Sequence, residues 1–232
     1  MQYFKVRSIV NIDSFAEKFA VDIIREVYPS AYVVSEESGL IKLNDKADIT
    51  FFLDPLNGTG NFIRGIPIFA VSVACALTKP SPSITLKNLK ASAVATSFGM
   101  VFSSSQGKGA FLGDRELTHK HSDVELSDAL IRLSPFEGKL QGKVNHVRLL
   151  GASCIELCFV AAGFLDAFID YGTLKLTDIV APYLIVKEAG GIMSDIYGND
   201  FTTLHLTQSR LYSVVATKST KLYKQLLREL GC

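Results

Sequence analysis

No apolar stretch in this sequence is long enough to cross a bilayer. Its apolar runs are short and interrupted by Ser, Lys or Gly, so no transmembrane helix is expected. The first twenty residues carry Lys5, Arg7, Asp13 and Glu17 where a secretory leader would have an apolar core, and the expectation is a cytoplasmic chain. There is no basic block either. Lys and Arg total 24 against 23 Asp and Glu, the net charge is +1, and the cations are spread along the chain. That argues against a nucleic-acid or membrane partner. Cysteine is scarce: Cys75, Cys154, Cys158 and Cys232 form no CxxC pair and the four His are scattered, which speaks against a zinc site. The thiols are expected to be reduced. Cys154 and Cys158, four apart, read as small buried residues on one helix face. No Gly-Lys-Ser/Thr follows a glycine-rich loop, so a nucleotide P-loop is excluded. Internal repeats and low-complexity tracts are absent as well.

What is present is 232 residues with 48% hydrophobic content, enough for one globular domain or two small subdomains in close contact. Ser14-x-x-Glu17 has the form of a capping box. Behind it Phe15, Phe19 and Ile23 recur every four residues, which predicts an amphipathic helix ending before Pro29. Strands are expected at 31–34, 50–53, 68–77, 91–101 and 109–112. The polar stretch 117–127 marks a junction, giving an N-terminal unit 1–118 and a C-terminal unit 119–232. Beyond it strands at 130–133, 166–170 and 211–216 alternate with helices at 154–162, 179–189 and 220–230. Gly163 and the pair Gly190-Gly191 close the first two helices. A strand-rich first half and an alternating second half fit a layered α/β (α+β) architecture with helices packed on sheets.

The segment richest in chemistry is Asp54-Pro55-Leu56-Asn57-Gly58-Thr59-Gly60-Asn61-Phe62. A carboxylate leaves the end of an apolar strand, proline stiffens the turn, and Gly58 allows close backbone approach. Read by residue type alone, this is either an ordinary Asx-Gly turn or a loop presenting a carboxylate, a carbonyl and N–H groups to a metal and a phosphate.

This segment, followed by Gly65-x-Pro67-x-Phe69-x-Val71-Ser72, resembles the signature of the inositol monophosphatase superfamily. Three further stretches match in order. They are Ser35-Glu36-Glu37-Ser38, then Leu150-Gly151-Ala152-Ser153 with Val160 to Asp166, then Asp178 running into Leu184 to Gly191. The resemblance covers nearly the whole chain. It implies a layered αβαβα sandwich, a small-molecule phosphate ester as substrate and a homodimer. It also implies two or three Mg²⁺ ions. Glu36, Asp54 and the Leu56 carbonyl would hold one ion, and Asp54, Asn57 and Asp178 a second. Gly58 and Thr59 N–H groups would cradle phosphate, and Thr59 with Asp13 would orient the attacking water. Asp13 lies in a stretch resembling the family's V-T-x-x-D element. Gly151, Ala152, Ser153 and Asp170 would face the substrate, with Asp166 as the alternative to Asp170. Asp178 has a second reading as a helix cap.

The sequence departs from the family pattern in three places. Asn57 stands where the signature has a second aspartate. It keeps an oxygen but lacks the charge, and Mg²⁺ gives up its waters reluctantly to neutral ligands. Two readings follow: a working or weakened phosphatase for inositol or sugar phosphates, fructose-1,6-bisphosphate included, or a family member kept for binding phosphate ligands. Thr177 replaces the tryptophan that often precedes the C-terminal aspartate, as in archaeal-type members. Lys5 to Asp13 resembles the segment after the family's first helix, so about one helix of the pattern is missing at the N-terminus.

Overall fold

A computed structural model describes residues 7–44, 46–81, 84–117, 124–134, 140, 142–206 and 210–231, with side chains from residue 12 onward. The expected unit boundary at 118/119, Lys5 and Cys232 lie outside them. Helix α1 spans Arg7–Val27, and strands β1 (Tyr32–Ser35), β2 (Gly39–Lys42) and β3 (Thr50–Asn57) follow. After the short helix α2 (Thr59–Ile63) come β4 (Ala70–Ala76), β5 (Leu89–Thr96), β6 (Val101–Ser105), β7 (Ala110–Leu112) and β8 (Arg115–Glu116). The rest is β9 (Leu130–Leu133), β10 (His146–Arg148), α3 (Ser153–Ala162), β11 (Ala167–Leu174), α4 (Leu176–Glu188), β12 (Ile192–Ser194), β13 (Tyr212–Thr217) and α5 (Thr220–Leu230).

Two sheets organise these elements, one of eight strands in the order β2-β1-β3-β4-β5-β6-β7-β8 and one of five in the order β10-β9-β11-β13-β12. Helices α3 and α4 lie between them, and their apolar residues join Phe52, Val94, Phe102, Phe168 and Val214 in one continuous core. Helix α1 covers the outer face of the first sheet through Val21, which packs with Val33, Phe51 and Leu53. Helix α5 covers the second sheet with Leu222, Leu226 and Leu230, and the Ser219 hydroxyl accepts its Leu222 N–H at 3.1 Å. The layers therefore run αβαβα, as the resemblance implies.

Three local expectations change. Ser14 lies inside α1, so the presumed capping box is not a helix start. Glu17 instead reaches across to the turn after β1, accepting the Ser38 N–H at 3.0 Å and the Ser38 hydroxyl. The buried side of α1 carries Asp13, Glu17 and Val21, while Phe15 and Phe19 are 70% and 64% exposed. The period of the helix is as expected but its apolar stripe faces out. Residues 91–101, expected as one strand, form the β5–β6 hairpin, because Gly99 at φ 86° makes the turn.

The third change sits at the motif itself. The strand was expected over 50–53, and proline is disfavoured inside a sheet. β3 continues to Asn57 through a bulge: Asp54 pairs with Ser72 but Asn57 pairs with Ala70. Side chains alternate faces along a strand, so residues three apart would normally point oppositely. The extra residue at Pro55–Leu56 brings Asp54 and Asn57 to the same side, where their side chains meet at 3.0 Å.

Candidate active site

Four chain ends converge at the bulge. Asp54 and Asn57 come from β3. Glu36 follows β1 directly, and its N–H donates to Leu53 O at 3.1 Å, which ties the turn to β3. Asp178 is the third residue of α4, and its Oδ2 accepts the Lys175 N–H at 2.7 Å. The residue thus caps its own helix from inside while Oδ1 points into the site. The helix starts at Leu176, earlier than its apolar periodicity indicated. Ser153 opens α3, and its hydroxyl donates to Asp178 Oδ1 at 3.0 Å.

Asn57 lies at the centre. Its side-chain oxygen accepts the Cys154 N–H at 2.9 Å. Its NH₂ group lies 2.7 Å from Asp178 Oδ1, 3.0 Å from Asp54 Oδ2 and 3.1 Å from Ser153 Oγ. The Leu56 N–H donates to Asp54 Oδ1 at 3.1 Å, and the Leu56 carbonyl is left to a different partner. That carbonyl lies 3.0 Å from the Thr59 hydroxyl, which also lies 2.9 Å from Asp13 Oδ1.

Gly58 holds φ 95°, and a Cβ there would meet Ile68 O at 3.0 Å, Ala152 Cβ at 3.1 Å and Gly151 O at 3.3 Å. Only glycine satisfies both the left-handed backbone and this approach of the 151–152 loop. Asn61 then ties the loops together, donating to Ile68 O and Leu150 O, both at 2.7 Å.

The electrostatics are those of crowded acids. Burial pushes the Asp54 carboxyl well above the usual carboxylate range, and the charges of Glu36 and Asp178 add to the push. Asp178 rises to about 6, chiefly through burial. Burial also raises Asp13, against the opposing hydrogen bond from Thr59. Among the described residues the cation that reaches the cluster is Lys175, whose Nζ donates to Glu36 Oε1 at 2.8 Å from a half-exposed position. A carboxylate oxygen of Asp54, one of Asp178 and the Cys154 sulfur lie within 4.8 Å of one another. Burial holds the Cys154 thiol well above its ordinary range, so it stays protonated, and the donors left for an ion are hard oxygens. A cavity of about 640 Å³ opens beside the cluster and shares Glu36 and Lys175 with it, lined further by Leu40, Pro80, Leu176 and Arg210.

The structure thus brings together Asp13, Glu36, Asp54, Leu56, Asn57, Gly58, Thr59, Gly151, Ala152, Ser153 and Asp178. It does not bring in Asp170. That side chain is fully buried. It accepts from Arg132 Nη1 at 2.8 Å, the Thr173 N–H and hydroxyl at 2.7 Å each, and the Gly172 N–H at 3.0 Å, which leaves it nothing to offer a substrate hydroxyl. Asp166 is also engaged in structure, accepting the Leu130 N–H at 2.8 Å. Sequence reasoning gave no role to Asn61 or to Glu17 as the anchor of the Glu36 turn. Their partners lie in other segments, and no local spacing announces them.

The model of the inositol monophosphatase family matches residues 5–231. A fructose-1,6-bisphosphatase/inositol-1-monophosphatase of Methanothermobacter thermautotrophicus is 32% identical over 230 residues, covering 94% of this chain and 82% of the relative. The Nus factor SuhB of Escherichia coli is 34% identical over 205 residues, covering 82% and 72%. Among solved structures, a hypothetical protein of Pyrococcus horikoshii with similarities to inositol-1 monophosphatase superposes with a TM-score of 0.79. It is 30% identical, and the match covers 94% of this chain and 83% of that one.

Proposed function

Because the chain belongs to the inositol monophosphatase family, we propose that it is a Mg²⁺-dependent phosphomonoesterase acting on inositol monophosphate or a related sugar phosphate such as fructose-1,6-bisphosphate. The observation that carries this reading is the meeting of the Glu36, Asp54 and Asp178 carboxylates beside a Thr59–Asp13 hydrogen bond of 2.9 Å.

The donor set fits a hard divalent cation. Glu36, Asp54 and the Leu56 carbonyl supply oxygen ligands; burial first, and then the charges of Glu36 and Asp178, raise Asp54, and a cation would relieve both. When bound, Mg²⁺ supplies Lewis-acid activation of water and charge neutralisation on the phosphoryl oxygens. The protein does the rest. The N–H groups of Gly58 and Thr59 hold the phosphate where Gly58 permits close approach. The Thr59 hydroxyl, tied to Asp13, orients the attacking water. Asp13, with its raised pKa, is the carboxylate placed to take the water's proton. The loop Gly151-Ala152-Ser153, pressed against Gly58, forms the wall that the substrate alcohol meets.

The test is phosphate release from inositol-1-phosphate and fructose-1,6-bisphosphate. EDTA should abolish it. Asp54→Asn should lower it by about 10³-fold, the equivalent of several kcal/mol of lost metal-borne stabilisation. Release that survives both treatments overturns the reading.

A second reading rests on Asn57: a family member that binds phosphate esters without turning them over. Binding of inositol-1-phosphate with no release at millimolar Mg²⁺ would select it.

A further inference from the structure

The orientation of the Asn57 amide decides what its position can hold. A backbone N–H only donates, so the 2.9 Å bond from Cys154 identifies the near atom of Asn57 as its oxygen. The NH₂ group is then fixed on the other side, facing Asp54 Oδ2, Asp178 Oδ1 and Ser153 Oγ. All three can accept, because the Ser153 hydroxyl spends its own hydrogen on Asp178. An aspartate in this place would give one oxygen to Cys154 and turn the other toward Asp54 and Asp178, making a pocket of three carboxylates for a cation. With asparagine, two N–H hydrogens fill that point, and they repel a cation.

We propose that the Asn57 NH₂ group takes the place of a second divalent ion. It bridges Asp54 and Asp178 so that the chain binds a single ion, at Glu36, Asp54 and the Leu56 carbonyl. The single-ion site rests on the metal-dependent reading above; the closed second site rests on the hydrogen bonds alone. Flipping the amide to offer its oxygen would set NH₂ against the Cys154 N–H, donor facing donor, inside a buried site. That route to a second ion is costly. The amide is a fixed, weak substitute for a cation: it holds the two acids together but carries no full charge.

The experiment is a count of Mn²⁺ ions per chain by electron paramagnetic resonance, at saturating Mn²⁺ with inorganic phosphate present. The wild type should bind one ion and Asn57→Asp two. None or two in the wild type, or no gain in a folded Asn57→Asp, overturns the inference. A second measurement does not depend on the variant folding. The side-chain NH₂ resonances of Asn57 in ¹⁵N-labelled wild type should persist, unshifted by more than a small local amount, from EDTA to saturating Mg²⁺. Their loss or a large displacement on adding Mg²⁺ means that the amide turns to the ion, and the proposal falls. The two readings fail separately. One ion without phosphate release keeps the closed second site and removes the phosphatase; release with two ions does the reverse.

Discussion

Two clusters of buried acids meet helix α3, one through Glu156 and the other through Ser153 and Cys154, and they are solved differently. In the first, Arg132 lies against Asp170 at 2.8 Å and Glu156 at 3.5 Å, with its guanidinium over the Phe168 ring at 4.4 Å. Burial alone would raise Asp170, but the Thr173, Arg132 and Gly172 hydrogen bonds hold it below its ordinary range. In the second, Asp54 and Asp178 are raised, their nearest donors are an amide and a hydroxyl, and the charged Lys175 stands half exposed at the rim. Where the chain supplies a buried guanidinium, Asp170 is finished as structure, although burial still raises its neighbour Glu156. Where it supplies only neutral donors, negative charge is left over, and that is the place where an external cation has something to do.

The sharpest way to break this contrast is to remove the internal cation. Arg132→Met strands two buried acids and should cost about 3–5 kcal/mol in urea unfolding, with no recovery on adding Mg²⁺. Next in size is the pH response of the metal-free protein. Asp178 titrates at about 6 instead of 3.8, so its contribution to stability is fully present below about pH 4 and is lost as pH rises through 6. Two units correspond to at most about 3 kcal/mol. The urea midpoint in EDTA should therefore fall from pH 5 to pH 8, and Mg²⁺ should flatten the profile. Smaller, and opposite in sign to the first, is Asp13→Asn: its amide oxygen can still accept from Thr59, and removing a carboxylate that burial disfavours should stabilise the metal-free chain by about 1 kcal/mol, while activity falls. Asp170→Asn in the other cluster should destabilise. The smallest effect is expected for Lys175→Met. A half-exposed pair contributes at most about 1 kcal/mol, so the midpoint should barely move while Mg²⁺ binds several-fold more tightly to the released Glu36. A drop in Mg²⁺ affinity would show that Lys175 helps to hold the site open.

Much of this was legible in the sequence. The layered α/β class followed from the alternation of elements and the αβαβα order from the family resemblance, and α5 begins and ends where the pattern put it. The members of the site could be named because short motifs carry the family resemblance. What could not be read was direction. The bulge at Pro55–Leu56 exists because β4 pairs around it, and nothing local reports that pairing. The solvent-facing Phe15 and Phe19 and the buried Glu17 share a helix whose orientation is set by Ser38 and Thr59, residues it meets only in three dimensions. Asp170 failed as a substrate residue for the same reason. The resemblance pointed to it, but Arg132 on the neighbouring strand β9 claims it.

The hydrogen bonds that build the cluster join residues far apart in the chain: 46 positions between Asp13 and Thr59, 97 between Asn57 and Cys154, 121 between Asn57 and Asp178, 139 between Glu36 and Lys175. Contacts of such separation are reached only after long loops have closed, so in refolding they belong to the late steps. Sheets and helices can be in place while the site is still open. Recovery of ligand binding would then report the docking of the layers, a clock for the last stage of folding that circular dichroism cannot read.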